Sequence, residues 1–120
     1  MWIYSESTGK LTRNGALVSR GYSGRDKGKN NPAMQAAIGV GPIPQGLWNM
    51  CYVKDSPNTG PFTIVLMPCP GTKTYNRSEF RIHGDSIANP GSASHGCIIL
   101  PRIAREEIWQ SGDRSLTVVE

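Results

Sequence analysis

The chain of 120 residues has the length of one domain with a single hydrophobic core. Its 13 Lys and Arg against 9 Asp and Glu give a net charge of +4, which no block of basic residues concentrates, so the charge does not indicate a nucleic-acid partner. The 14 Gly and 9 Pro are typical of a turn-rich β fold and argue against a helical bundle or coiled coil, and no apolar run approaches the ~18 residues of a membrane span.

The first twenty residues predict three antiparallel strands. Strand-like runs lie at residues 2–5, 11–12 and 16–19. Thr8–Lys10 has the composition of a turn, and the Asn14–Gly15 pair between two apolar runs is the strongest short signal for a hairpin. We therefore expect the chain to begin as a three-stranded antiparallel sheet.

The middle of the chain predicts a short helix and then a pair of strands. Residues 31–37 begin with an Asn-Pro pair, in which Asn caps the helix and Pro takes its first position. The turn Gly41–Gly46 contains two prolines and feeds a strand over 47–53. A second strand over 62–67 is expected to return beside it.

The last forty residues combine a short strand, a long loop, a helix and a closing strand. Phe80–His83 alternates apolar and polar side chains, which is the period of a half-buried strand, whereas residues 84–96 show no periodicity. A helix is predicted over 101–110 and a last strand over 116–119. Residues 1–120 are thus predicted to form one mostly β domain with one or two short helices.

The alternation at the short strand points to a site for nucleophilic chemistry. If Phe80 and Ile82 face the core, Arg81 and His83 stand together on the opposite face. The loop that follows leads to Cys97. A cysteine nucleophile needs a base that takes its proton and donors for the oxyanion that forms, so this spacing predicts a cysteine-nucleophile site.

Two short segments resemble the signature of the YkuD-type L,D-transpeptidases. Ile82–Gly84 matches the upstream His-Gly of that family, and Ser94–Ile98 matches its Ser/Thr-His-Gly-Cys nucleophile motif. Gly41–Gly46 is similar to its Thr/Gly-Pro-x-Pro-x-Gly turn. The resemblance extends over residues 22–102, which is most of the chain.

The chain departs from that family in two places. Ten residues separate His83 from Ser94, which is fewer than the family usually has, and Ile99 stands where many members carry arginine or asparagine. The short loop and the run Gly91–Arg102 are similar to a subgroup of small L,D-transpeptidase-like toxins that type VI secretion delivers into rival periplasms.

The resemblance implies a YkuD-like β-sandwich and an enzyme that needs no cofactor and no metal. The Cys97 thiolate would attack the carbonyl of the diamino acid in a peptidoglycan tetrapeptide stem, expel the terminal D-alanine and form a thioester. Water would then complete an L,D-carboxypeptidase reaction, and an amine would give transpeptidation or D-amino-acid exchange. His83 matches the base, His95 adjoins the nucleophile, and the N–H groups of Gly96 and Cys97 are the expected oxyanion donors.

The expected substrate-binding residues flank these catalytic ones. Gly84 permits a close turn behind the base, and Ser94 belongs to the nucleophile motif. Arg81 and Arg102 suit a substrate carboxylate, because a guanidinium binds that group in a bidentate way. Asp85 is expected to orient an imidazole.

Several of these residues also have a purely structural interpretation. Arg81 and Arg102 fit solvated surface positions, and His83 fits a structural strand position. His95 fits a plain loop position as well as a substrate contact, and Cys97 fits a buried thiol. The sequence leaves these alternatives open.

Two other functions fit parts of the sequence. Cys69, His83, His95 and Cys97 carry the atoms of a zinc site in a non-catalytic zinc-binding or wall-binding module, although no Cys-x-x-Cys pair is present. A papain-like peptidoglycan endopeptidase is the other alternative, but such enzymes place the cysteine before the histidine in the chain. The odd number of cysteines leaves one unpaired whether or not Cys51 and Cys69 form a disulfide.

The N-terminal residues carry no visible signal peptide, since they lack a charged start and an apolar stretch. We therefore expect synthesis in the cytoplasm and delivery by a secretion apparatus to the periplasm or cell wall of a target bacterium. The expected partners are stem peptides and an immunity protein, with neither a nucleic acid nor a membrane span.

Overall fold

A computed structural model describes residues 1–120 and contains nine β-strands, one α-helix and two short 3-10 helices. The strands are β1 (Trp2–Ser5), β2 (Lys10–Arg13), β3 (Ala16–Arg20), β4 (Tyr22–Ser23), β5 (Gly46–Ser56), β6 (Gly60–Pro68), β7 (Arg81–His83), β8 (Ile98–Ile99) and β9 (Ser115–Val119). The helix is α1 (Arg102–Gln110), and the 3-10 helices are Asp26–Gly28 and Pro32–Met34. The prediction of a mostly β domain is confirmed.

The N-terminal meander forms as the sequence predicts. β1 pairs with β2 and β2 with β3, in both cases antiparallel. Asn14 and Gly15 have φ values of +53° and +81° at the β2–β3 turn. Positive φ at both central residues is the requirement of the tight hairpin turn that the Asn-Gly pair favours.

All nine strands join in one continuous mixed sheet with the order β3-β2-β1-β9-β5-β6-β7-β8-β4. The two parallel pairs are β1 with β9 and β7 with β8. Strands near both ends of this order contribute to a single cluster of 16 buried apolar residues. The expected sandwich is therefore one hydrogen-bonded sheet that curves around one core.

The core is closed from one side by α1. Ala104 and Ile108 on its buried face join Trp2, Trp48 and Ile82 in the cluster. Trp48 also donates its indole N–H to the carbonyl of Pro44, which attaches the Pro-rich turn to the core. None of the helices has the length and apolar character that crossing a bilayer requires.

The sequence prediction differs from the structure at three short elements. The helix expected over 31–37 is a single 3-10 turn, although Asn31 caps it as expected by accepting a hydrogen bond from the N–H of Ala33. Nucleating a helix is costly, and Gly39 with its φ of +75° turns the chain away directly afterwards. Strands β4 and β8 have two residues each, too few for a periodic pattern, so only their partners in the sheet define them.

A carboxyl group is buried at the end of β1. Glu6 is fully buried, and its Oε1 accepts a hydrogen bond of 2.8 Å from the Gln45 amide, while Oε2 has no hydrogen-bond partner. Burial raises the pKa of Glu6 to about 7, against the smaller lowering effect of the Gln45 bond. The folded protein therefore holds this proton up to a higher pH than the unfolded chain does.

We predict that Glu6→Gln stabilises the protein at alkaline pH but much less under acidic conditions. Because the folded pKa is raised, the wild type is most stable below the unfolded value and loses stability as pH rises to about 7. Thermal unfolding of both proteins should show a melting temperature roughly 5 °C or more higher for the variant at pH 8, and a smaller gap at pH 5. A gap that is the same at both pH values would contradict this assignment.

Candidate functional site

The pairing of β7 with β8 brings His83 and Cys97 to one face of the sheet. Ile82 lies opposite Ile98 in this parallel pair, and both isoleucines are fully buried in the core. Side chains alternate along a strand, and neighbouring strands lie about 4.8 Å apart. His83 and Cys97, each next to one of these isoleucines, therefore face away from the core, and both line the same cleft.

His83 is held in one orientation and one tautomer. Its side chain is 5% exposed, and Nδ1 lies 2.8 Å from the carbonyl oxygen of Gly84. A carbonyl only accepts hydrogen bonds, so Nδ1 carries the proton and Nε2 of the neutral ring keeps its lone pair. Burial lowers the pKa of His83, and the positive charges of Arg105 and Arg81 act in the same direction, against the Gly84 bond. The ring is thus a neutral base near pH 7.

Cys97 is half-buried at the base of the cleft. Its Sγ lies 3.6 Å from the carbonyl oxygen of Glu79. Burial raises the pKa of the Cys97 thiol, whereas a hydrogen bond from the Arg81 N–H and the charges of Arg81 and Arg77 act to lower it. Because burial outweighs these effects, the thiol needs a base to become a nucleophile.

The hydroxyl of Ser94 shapes the backbone around the nucleophile. Ser94 is fully buried, and its Oγ donates to the carbonyl of Cys97 at 2.6 Å. The same oxygen accepts hydrogen bonds from the N–H groups of Gly24 at 2.8 Å and Gly96 at 3.1 Å. Ser94 is therefore a scaffold residue inside the loop and not the substrate contact that the sequence suggested.

This network corrects the expected oxyanion site. The N–H of Gly96 is buried and already donates to Ser94, so it is not free to bind an oxyanion. The N–H of Cys97 makes no hydrogen bond within the protein. Of the two expected donors, only the Cys97 N–H is available.

Gly96 has a different role, which concerns Arg77. Its φ of +140° lies in a region that side chains rarely adopt, and a Cβ there would stand 2.4 Å from Arg77 Nη2 and 3.2 Å from Phe80. Arg77 is 7% exposed and donates hydrogen bonds to the carbonyls of Gln35, Gly41, Pro42 and His95. Glycine is needed here because this guanidinium connects the Pro-rich turn to the nucleophile loop.

Asp85 orders the long loop and has no hydrogen bond to an imidazole, which corrects its expected role. It accepts hydrogen bonds from the Tyr22 hydroxyl at 2.6 Å and from the N–H groups of Ser86 and Gly91. Burial acts to raise the pKa of Asp85, but these hydrogen bonds outweigh it and lower the pKa. The carbonyl of Gly84 takes the place that Asp85 was expected to have beside His83.

Neither arginine predicted to bind substrate lines the cleft. The backbone N–H of Arg81 bonds to the Cys97 thiol, and the Arg81 side chain has its Nε buried and unpartnered. Arg102 is exposed, pairs with Glu106 at 3.2 Å and stacks on the Phe62 ring at 4.9 Å. It lines a neighbouring cavity of about 450 Å³ instead.

His95 differs from His83 in its surroundings. It is exposed, and both ring nitrogens lie 3.0–3.3 Å from Arg25 Nη1, with Nδ1 also 3.3 Å from the Gly39 carbonyl. It lines the cleft of His83 and also a groove of about 270 Å³ on the other side of Cys97. A cationic neighbour and open solvent suit a substrate contact better than a catalytic base.

The cleft itself has a volume of about 890 Å³, which suits a peptide segment. Sequence reasoning missed two of its supports, Arg105 on the cleft wall and Arg77 beneath Cys97. Arg105 lies between Ala104 and Ile108 on the buried face of α1, so an arginine on an apolar helix face was a detectable signal. Arg77 lies in a loop without periodicity, where no pattern marks it.

Of the four residues considered for zinc, His83, His95 and Cys97 line the cleft, whereas Cys69 does not. No group of three or more His, Cys, Asp or Glu side chains stands in a metal-binding arrangement. Cys69 follows the end of β6, where its N–H bonds to the Leu47 carbonyl, and all three cysteines are free thiols.

The chain was also compared with known proteins. A family model described as the Tlde1 domain matches residues 18–119, which is most of the chain. Neither the curated proteins nor the solved structures gave a match.

Proposed function

Because the chain belongs to the Tlde1 domain family of type VI secretion effectors, we propose that it is an antibacterial enzyme that uses Cys97 to cleave peptidoglycan tetrapeptide stems. The expectation of a type VI effector is confirmed at the level of the family. The YkuD-type L,D-transpeptidase chemistry stays a prediction, and it is the enzymatic part of this proposal. One observation carries it: a neutral His83 of defined tautomer faces the same cleft as the Cys97 thiol.

The proposed reaction begins with transfer of the thiol proton to Nε2 of His83. Sγ of Cys97 then attacks the carbonyl carbon of the diamino acid, and the Cys97 N–H stabilises the oxyanion. The amide bond breaks as His83 returns the proton to the amine of the terminal D-alanine. The thioester that remains is resolved by water or by the amine of a D-amino acid, which regenerates the thiol.

The electrostatics of the site support this order of events. The base is neutral near pH 7 while the thiol keeps its proton, so the resting pair is uncharged and the proton must pass to His83 for Sγ to attack. Arg77 and Arg81 favour the thiolate once it forms. The buried Ser23 hydroxyl donates to the carbonyl of Gly96 at 3.0 Å and so fixes the peptide plane that carries the Cys97 N–H.

The first test is mass spectrometry of tetrapeptide muropeptides incubated with the protein, with and without a D-amino acid. We expect loss of the terminal D-alanine, exchange when the amino acid is present, and no reaction with Cys97→Ala. Cys51→Ser is the matched control, since Cys51 is an exposed thiol outside the cleft. Cleavage between the second and third stem residues would instead indicate the papain-like alternative, and activity of Cys97→Ala would refute the mechanism.

The two histidines should differ in their contribution. His83→Ala removes the buried base, so we expect kcat/KM to fall on the order of 10²-fold or more. His95→Ala removes an exposed contact beside Arg25 and should cost clearly less. The same muropeptide assay measures both, and equal losses or the reverse order would show that the base is assigned wrongly.

The compartment of action gives a separate test. A stem-peptide polymer is present only outside the cytoplasm, so production of the chain inside a bacterium should be nearly harmless. The same chain fused to a secretory signal should cause swelling or lysis, and its Cys97→Ala version should not. Equal toxicity in both compartments would contradict a cell-wall target. The producing cell would then need an immunity protein, which we expect to cover the Cys97 cleft.

A further inference from the structure

Arg105 is a buried cation at the wall of the cleft and forms no salt bridge. Its side chain is 6% exposed. Nε donates to the Leu100 carbonyl at 3.1 Å, and Nη1 donates to the carbonyls of Pro61 at 2.9 Å and Phe62 at 3.0 Å. These bonds anchor the guanidinium to β6 and to the residue that follows β8, yet none of the partners is an acid. Nη2 makes no hydrogen bond within the protein and is not among the buried unpartnered atoms, so it is accessible to solvent.

Arg105 Nη2 lies beside Gly84, the residue whose carbonyl holds His83 in place. A Cβ placed on Gly84 would stand 2.9 Å from Arg105 Nη2, and the carbonyl of Gly84 is the partner of His83 Nδ1. Arg105 lines the cleft together with His83 and Cys97. The cation is therefore positioned on the His83 side of the nucleophile.

The nearby acids do not neutralise this charge. The charge of Glu106 acts on Arg105, but its carboxylate pairs with Arg102 at 3.2 Å. Both carboxylate oxygens of Asp85 are engaged, with Tyr22, Ser86 and Gly91 as donors. A buried guanidinium with one free nitrogen and no carboxylate of its own is well suited to bind a carboxylate that the ligand brings.

The proposed chemistry identifies which carboxylate this is. His83 must return its proton to the amine that leaves, so the departing residue lies on the His83 side of Cys97. The carboxylate of a C-terminal amino acid is separated from its own amine by one carbon atom only. We propose that Arg105 binds the α-carboxylate of the departing C-terminal residue, an inference that rests on the proposed function.

This contact would make the enzyme specific for chain ends. A stem that continues beyond the departing residue has an amide in place of the carboxylate and leaves the guanidinium unpaired in the cleft. By reversibility, the amino acid that resolves the thioester in the exchange reaction would place its own carboxylate on Arg105. The site would thus remove or exchange single terminal residues.

The experiment compares two substrates with three proteins. The substrates are a tetrapeptide muropeptide with a free C-terminal carboxylate and the same muropeptide with a C-terminal carboxamide, which has nearly the same shape but no charge. The proteins are the wild type, Arg105→Met and the control Arg114→Met. Arg114 stacks on Trp109 and lines neither the cleft nor its neighbouring cavity.

We expect the wild type and Arg114→Met to favour the carboxylate by about 10- to 100-fold in kcat/KM, the range for a lost charged hydrogen bond. Arg105→Met should lose this preference, because its rate falls on the carboxylate and hardly changes on the carboxamide. A purely structural role for Arg105 would lower both rates equally and would overturn the inference. Equal rates of the wild type on both substrates would overturn it even if Arg105→Met does not fold.

Failure of the proposed function gives a different result. In that case the wild type leaves both muropeptides intact, which overturns the function and this inference together. Removal of the terminal residue from both substrates at one rate would overturn the inference and leave the function supported.

Discussion

The parallel pairing of β7 with β8 is the constraint on which the rest of this site depends. Ile82 and Ile98 face each other in the core, so the residues beside them must point outward into one cleft. A parallel pair requires a crossover connection, and here a loop supplies it without a helix. That loop needs its own anchors, and the side chains of Asp85 and Ser94 provide them by bonding to backbone groups and to Tyr22.

Two buried arginines also anchor the segments around the β7–β8 pair by bonding to backbone groups. Arg77 and Arg105 each donate several hydrogen bonds to backbone carbonyls, and neither is paired with an acid. Burying a guanidinium is costly unless its donors are satisfied, so such residues persist where they connect segments that lack regular hydrogen bonding. Their charges have a chemical consequence as well, because Arg105 favours a neutral His83 and Arg77 favours the thiolate of Cys97.

Rigidity is distributed unevenly across the site. His83 has a buried ring, a single tautomer and a strand beneath it, whereas His95 is exposed on a loop next to another cation. Proton transfer needs a nearly constant distance between the base and the thiol. This requirement favours the buried His83 as the base. His95, which is exposed between the cleft and the groove, is better placed to contact substrate.

Local sequence signals were enough to predict the mostly β class, the N-terminal meander, α1 and the segment that carries His83 and Cys97. These features depend on local signals, namely alternation, the Asn-Gly turn and a short motif, which are present within a few neighbouring residues. Three features are visible only in the folded chain: the strands join in one sheet, Gly96 accommodates Arg77, and Arg105 faces the cleft. Those outcomes depend on contacts between residues far apart in the chain, where a two-residue strand or a loop arginine has no periodic pattern to reveal its partner.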